Sequence, residues 1–122
     1  MFHKKSIIAV DDSKIVLQTL EGILGERYDF RGFSKAERAL DYITLFPPSL
    51  IILDIDMPEI NGYELSEMIM EKKDLRDIPI IFLTSNNEKN SVIKAAAYGA
   101  DAYVLKPIDK NLLISRIESL LQ

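Results

Sequence analysis

The sequence predicts a doubly wound α/β protein, with an open parallel sheet covered by helices on both faces. Short apolar runs alternate five times with segments of helical period, and the connections between them are short. Three runs are apolar at consecutive positions, as expected of strands covered on both faces. This alternation gives parallel strands joined by right-handed crossovers. Because five units cannot close an eight-stranded barrel, the sheet is expected to stay open.

The apolar runs predict five strands, over residues 6–10, 28–33, 50–53, 80–83 and 103–105. The second run alternates polar and apolar residues from Tyr28 to Arg31, which suits an edge strand with one wetter face. The first helix has an apolar stripe and can end at Gly25, and the second is expected to open with a capping box from Ser34 to Glu37. The other predicted helices are a third over residues 62–72, a fourth over residues 90–98 that ends at Gly99, and a fifth with Asp109 as its N-cap.

The composition narrows the classes of function. The 122 residues are enough for one domain with a single core, and the absence of cysteine excludes disulfides and thiolate metal sites. A net charge of −4 with mixed signs argues against direct binding of nucleic acid. No apolar run is long enough to cross a bilayer, and the N-terminus lacks the pattern of a signal peptide. We therefore expect a cytoplasmic protein with no membrane partner.

Polar residues follow four of the predicted strands at the point where each strand ends. Asp11 and Asp12 follow the first strand, Asp54 the third, Thr84 the fourth and Lys106 the fifth. In open α/β sheets the site lies outside the carboxyl ends of the strands, so these side chains are expected to meet. Polar residues also end strands simply by entering loops, but here the three carboxylates, the hydroxyl and the ammonium are chemically complementary.

The chemistry of this set favours phosphoryl transfer. Two carboxylates about 4 Å apart repel by roughly 4 kcal/mol at an effective dielectric constant near 20, so the group should be protonated or hold a cation. Oxygen ligands without His or Cys favour Mg²⁺, with Mn²⁺ as an alternative. Lys106 and Thr84 could bind phosphoryl oxygens, and Asp54, which alone ends the central strand, is the best candidate nucleophile.

Four sequence elements closely resemble the motifs of the receiver domain of two-component response regulators. They are Val10-Asp11-Asp12-Ser13, Leu53-Asp54-Ile55-Asp56-Met57-Pro58 with Gly62, Leu83-Thr84-Ser85, and Tyr103-Val104-Leu105-Lys106-Pro107. They occur in the order and spacing of that family and cover the whole chain. The resemblance implies one receiver domain over residues 1–122, with a flavodoxin-like (CheY-like) sheet of strand order 2-1-3-4-5.

The resemblance also implies roles for individual residues. Asp54 would be the phospho-acceptor, supplied by a histidine kinase or a histidine phosphotransfer protein, while Thr84 and Lys106 bind the phosphoryl oxygens. The implied ligands of Mg²⁺ are Asp11, Asp12, Asp54 and the backbone carbonyl of Asp56. The bond before Pro107 would be cis, as is usual in the family.

A switch mechanism follows from the same resemblance. The phosphoryl group would draw Thr84 inward, and the ring of Tyr103 would fill the vacated space. This movement would repack the face formed by the fourth helix, the fifth strand and the fifth helix, with the population set by the phosphate's different affinity for the two packings. Since the chain ends soon after the fifth helix, a separate effector or a missing output domain is expected to read this face. The expected state is a monomer or a weak, phosphorylation-dependent homodimer.

Two other functions remain open. Asp54 and Asp56 form an Asp-x-Asp pair like the nucleophile and general acid of haloacid-dehalogenase-type phosphatases, and turnover of small phosphomonoesters would reveal such an enzyme. That family carries the pair on its first strand and places further acidic residues after the lysine, so a receiver that is not an enzyme is favoured. The other is a binding module with unused phosphorylation chemistry, which the complete residue set argues against.

Three residues beside the site carry weaker hypotheses. Asp56 and Asn86 flank the expected phosphoryl group and are hypothesised to set how quickly the phosphorylated form decays. Ile15 lies off the inward stripe of the first helix and next to the acidic pair. It is hypothesised to contact the helical bundle that carries the donor histidine, although a single exposed isoleucine is also ordinary surface.

Overall fold

Five parallel strands form one sheet in the order β2-β1-β3-β4-β5. The computed structural model describes residues 4–85, 97–98 and 100–122. The strands are β1 (Ser6–Val10), β2 (Asp29–Phe33), β3 (Leu50–Asp54), β4 (Ile80–Thr84) and β5 (Ala102–Leu105). The helices of the described residues are α1 (Lys14–Leu24), α2 (Ala36–Leu45), α3 (Gly62–Met70) and α4 (Lys110–Leu120). The predicted fold class and strand order are confirmed.

The helix labels differ from the numbering of the sequence prediction. The helix expected over residues 90–98 lies almost entirely outside the described residues, and so does its predicted cap Gly99. The fifth predicted helix is therefore α4 of the structure. Its N-cap is Asp109, whose side chain accepts a hydrogen bond from the backbone N–H of Leu112 at 3.1 Å.

Two apolar layers cover the faces of the sheet. Every residue of β3 and β4 is buried, because helices lie on both sides of these central strands. Successive side chains of a strand point to opposite faces, so Ile51 and Leu53 pack with α2 and α3, whereas Leu50 and Ile52 pack with α1 and α4. This packing holds the carboxyl ends of β1, β3 and β4 side by side.

The expected capping box at the start of α2 is wrong. The helix begins at Ala36 and its N-cap is Lys35, so Ser34 lies one position too early to cap it, and no side chain caps this end. The capping box of the described helices is instead at α3. There the Asn61 side chain accepts from the backbone N–H of Glu64 at 2.9 Å, and the Glu64 side chain accepts from the N–H of Asn61 at 3.1 Å.

The second strand lies at the edge of the sheet, as its alternating pattern predicted. It pairs with β1 on one side, and no strand of the described residues pairs with its other side. No described helix combines the length and the apolar character needed to span a membrane.

Candidate functional site

The acidic side chains that follow β1 and end β3 lie together at the carboxyl edge of the sheet. Asp11, Asp12 and Asp54 each offer a carboxylate oxygen, and these oxygens all lie within 4.8 Å of one another. Asp11 and Asp54 are buried, with 0% and 2% of their surface exposed, whereas Asp12 is exposed. The cluster therefore has a buried base and one side that is open to solvent.

Backbone N–H groups of the following loops orient the two buried carboxylates. Ser13, the N-cap of α1, donates its N–H to Oδ1 of Asp11 at 2.9 Å. Asp56 donates its N–H to Oδ1 of Asp54 at 3.2 Å, while its own side chain is exposed. The contact between Asp56 and Asp54 is thus made by the backbone. A Cβ at Gly62 would collide with the carbonyl oxygen of Asp54, so glycine allows the backbone at this position to approach Asp54 closely.

Lys106 lies between the two buried carboxylates. Its Nζ is 2.9 Å from Oδ2 of Asp11 and 3.3 Å from Oδ1 of Asp54. Its backbone N–H donates to the carbonyl oxygen of Thr84 at 2.8 Å, and the bond between Lys106 and Pro107 is cis. Thr84 is itself buried at the end of β4, so the lysine, the threonine and the carboxylates occupy adjacent strand ends.

The electrostatics of the site leave Asp54 easy to protonate. Burial raises the pKa of the Asp54 carboxyl to about 6, and the charge of Asp11 adds to this, while Lys106 and the N–H of Asp56 oppose it. Burial alone would lower the pKa of Lys106, but its close ion pair with Asp11 and the charge of Asp54 outweigh burial and raise it. Above about pH 7 the site therefore holds an ionised Asp54 beside an ammonium group.

The side chains present fit a hard divalent cation. Oδ2 of Asp11 is buried and accepts no hydrogen bond of good geometry within the described residues, although the Lys106 ammonium forms an ion pair with it. Among the described residues one ammonium lies beside the three carboxylates, so negative charge remains after its ion pairs are counted. Carboxylate oxygens of this kind suit Mg²⁺, which retains waters and uses few protein ligands.

A cleft beside Asp12 gives access to the open side of the cluster. It has a volume of about 190 Å³ and lies between the start of α2 and the loop that joins β3 to α3. Lys35, Arg38 and Met57 are among its lining residues. The cleft borders the acidic cluster without containing Asp54, so it is an approach to the site rather than its centre.

The remaining predicted residues have different surroundings. The ring of Tyr103 is partly buried and packs on the α2–α3 side of the sheet, and Ile15 is 75% exposed at the start of α1. Asn86 lies outside the described residues. The roles predicted for these three residues stay predictions.

Sequence reasoning missed an aromatic contact next to the site. Tyr63 lies in the first turn of α3, with its ring centroid 5.2 Å from that of Phe82 and 4.8 Å from that of Tyr98. Burial and the charge of Asp56 raise the pKa of its phenol. Tyr63 therefore lies between the loop that contains Asp56 and the apolar layer of α2 and α3. Its position directly after Gly62 of the family motif is the sequence feature that could have indicated this contact.

A doubly wound sheet that gathers an acidic cluster, a buried threonine and a lysine at its carboxyl edge defines the receiver class of signalling domains. The chain belongs to the family of response regulator receiver domains, whose model matches residues 7–118. Receiver domains act in two-component systems and are in general not enzymes of the usual turnover kind.

Individual relatives agree with this assignment. The two-component response regulator ORR5 of Oryza sativa subsp. japonica is 33% identical over 116 residues, which are 91% of this chain and 87% of the rice protein. The receiver domain of a signal transduction histidine kinase from Syntrophus aciditrophicus has a TM-score of 0.86 and 34% identity, over 96% of this chain and 89% of that chain. The BeF₃-activated receiver domain of DrrB has a TM-score of 0.87 and 30% identity, over 97% of both chains. The chain spans about half the length of other curated relatives that it matches.

Proposed function

We propose that this receiver domain accepts a phosphoryl group on Asp54 and so relays a signal from a histidine kinase or a histidine phosphotransfer protein. The observation that carries the proposal is the polarisation of the Asp54 carboxylate. Both hydrogen bonds described for it, from the N–H of Asp56 and from Nζ of Lys106, go to Oδ1. This pattern supports Oδ2 as the proposed nucleophilic oxygen.

The proposed reaction is an in-line displacement at phosphorus. An oxygen of the ionised Asp54 carboxylate forms a bond to phosphorus, and the bond from phosphorus to the donor breaks, so the donor leaves with that electron pair. The donor is the imidazole of a phosphohistidine or, with acetyl phosphate, acetate. A pKa near 6 leaves Asp54 mainly ionised above pH 7, as a nucleophile must be.

The neighbouring residues are proposed to stabilise the transferred charge. Lys106 is close enough to Asp54 for its ammonium to move from the carboxylates to a phosphoryl oxygen. Thr84 is the last residue of the neighbouring strand β4, and its hydroxyl is proposed to bind another phosphoryl oxygen. Asp11, Asp12, Asp54 and the backbone carbonyl of Asp56 are proposed to hold Mg²⁺, or Mn²⁺ in its place. The cation would neutralise phosphoryl oxygens that the carboxylates would otherwise repel.

The proposed output is a change at the β5 side of the domain. Attraction of Thr84 to the phosphoryl group would free space for the partly buried ring of Tyr103. An effector protein, or an output domain on a longer chain, would read the changed face, and Ile15 is proposed to contact the phosphoryl donor. We place this relay in the cytoplasm, with residues 1–122 acting as one receiver domain.

Incubation with acetyl phosphate and Mg²⁺ should yield a single phosphoryl adduct, measured by intact mass. The adduct should be absent from the Asp54→Asn variant and from protein incubated with excess EDTA. The matched control is Asp41→Asn, which changes an exposed aspartate on α2 and should be modified like the parent. An adduct that persists in Asp54→Asn would contradict the proposal, and steady turnover of phosphomonoesters would favour the phosphatase instead.

The Asp56→Asn variant should lose its phosphoryl group several-fold more slowly than the parent. The Asp56 side chain is exposed and its backbone N–H is bonded to Asp54, which supports the proposal that its carboxylate accepts a proton from an attacking water. The time course of adduct loss after removal of acetyl phosphate measures this rate. Equal decay in Asp56→Asn and the parent would show that the side chain has no such role, and Asn86→Ala tests the second modulating residue in the same way.

A further inference from the structure

The outer edge of β2 presents backbone hydrogen-bonding groups that the described residues do not use. Asp29 donates its N–H to the carbonyl oxygen of Lys5, and Phe33 accepts from the N–H of Asp11, so these residues turn their backbone groups towards β1. The parallel register pairs Arg31 with Ile8 in the same orientation. Because backbone groups alternate along a strand, Phe30 and Gly32 direct their N–H and C=O away from the sheet.

Charged and apolar side chains flank this edge. Asp29 and Arg31 are both exposed and neither forms an ion pair within the described residues. The Arg31 guanidinium lies 5.2 Å from the centroid of the Tyr42 ring, which holds it on the α2 side of the sheet. Leu45 and Phe46, which are 73% and 60% exposed, line a groove of about 370 Å³ along the same side of β2.

We propose that β2 pairs antiparallel with β2 of a second copy of this chain, joining two sheets across a two-fold axis at Phe30. In this register Phe30 N–H donates to Phe30 O of the second copy, and Gly32 N–H donates to the carbonyl oxygen of Tyr28, with each bond repeated by symmetry. The outward N–H groups of Phe30 and Gly32 and the carbonyl of Phe30 would then be paired, while the Tyr28 N–H stays bonded to Leu24 within the chain. An open sheet edge pairs with another strand in this way.

The charges on β2 select the register and the occupant. With the axis at Phe30, Asp29 lies opposite Arg31 of the second copy, and Arg31 lies opposite Asp29. These are the closely spaced positions between hydrogen-bonded pairs, where opposite charges attract most strongly. An axis at Arg31 would oppose Arg31 to itself, and an axis at Gly32 would oppose Arg31 to Phe33. The strand is thus self-complementary in one register, as expected for an isologous contact rather than for an unrelated peptide.

This association does not depend on phosphorylation of Asp54, and its test uses the unmodified full chain. Sedimentation equilibrium should show a dimer fraction that rises with protein concentration over the micromolar to millimolar range. Reversal of one charge, in Arg31→Asp or in Asp29→Arg, turns both attractive pairs into repulsive ones and should lower the association constant by roughly tenfold or more. An equimolar mixture of the two variants should dimerise again, because the new Arg at position 29 then faces the new Asp at position 31 in one pair and the native Arg31 faces the native Asp29 in the other.

Two further measurements separate this contact from other modes of association. The amides of Phe30 and Gly32 should gain hydrogen-exchange protection with concentration, whereas the amide of Asp29, which is bonded within the chain, should not change. Arg116→Asp makes the same charge change on the exposed side of α4 and should leave association intact. A monomer at every concentration, an unchanged association constant in both single variants, or no recovery on mixing would overturn the proposal, as would loss of the dimer in Arg116→Asp alone.

Discussion

The Asp54→Asn variant is expected to be more stable than the parent at pH 8 without divalent cations, with a free energy of unfolding about 2–3 kcal/mol larger. Burial, aided by Asp11, raises the pKa of Asp54 from 3.8 to about 6 in the folded protein. Each pKa unit corresponds to about 1.4 kcal/mol, so ionisation of this carboxyl disfavours the fold at high pH. Asparagine keeps nearly the same shape and retains an acceptor for the N–H of Asp56, but it removes the charge.

The pH dependence gives the sign of this effect. Since the folded pKa lies above the unfolded one, the folded state binds more protons between about pH 4 and pH 6, and this group's contribution to stability falls as the pH rises through that window. The gain from Asp54→Asn should therefore be near zero at pH 4 and reach its full size above pH 7. Urea unfolding at these pH values measures it, with Asp41→Asn as the exposed control expected to shift stability by less than about 0.5 kcal/mol.

Addition of Mg²⁺ provides a second readout of the same charge. A cation that binds the folded acidic cluster stabilises the parent by RT ln(1 + [Mg²⁺]/Kd), about 2.7 kcal/mol at one hundred times Kd. The Asp54→Asn variant loses one proposed ligand, so its stability should respond much less to Mg²⁺.

The pH series also has an outcome that contradicts the prediction. An equal gain in stability from Asp54→Asn at pH 4 and pH 8 would mean that the charge of Asp54 does not lower the stability of the parent.

The central strands and the residues of the site could be predicted from the sequence, because buried strands are runs of apolar residues and the site residues directly follow those runs. Continuous apolar runs become β3 and β4, which are buried at every position. A parallel sheet then brings the residues after those runs to one edge, so the sequence alone predicts that Asp54 and Thr84 lie close together.

Local backbone geometry could not be read from the same patterns. Ser34 and Glu37 have the spacing of a capping box, yet α2 begins one residue later than the box requires, while Asn61 and Glu64 cap α3. Which carboxylates are buried also depends on the loops, since Asp11 turns inward against Lys106 and the adjacent Asp12 does not. The burial of Asp11 follows from a tertiary contact with Lys106 that no single-segment pattern contains.

The Lys106→Met variant is expected to lose about 2–3 kcal/mol of stability at pH 8. Its ammonium is the one described cation within 4 Å of both Asp11 and Asp54, and methionine fills similar space without charge. Breaking a fully buried ion pair costs about 3–5 kcal/mol because a charge is left uncompensated; we expect less here because the lysine side chain is 23% exposed. The control Lys73→Met replaces an exposed lysine and should shift stability by less than about 0.5 kcal/mol.

The loss in Lys106→Met should be smaller at pH 5 than at pH 8, because removal of the lysine raises the pKa of Asp54 further and protonation then relieves the repulsion from Asp11. Combination with Asp54→Asn should recover stability in the same way, so the double variant should exceed the sum of the two single effects by at least about 1 kcal/mol. Denaturation of the four proteins of this cycle at both pH values measures the coupling. Additive effects would show that Lys106 contributes through packing of its stem rather than through its charge between the two carboxylates.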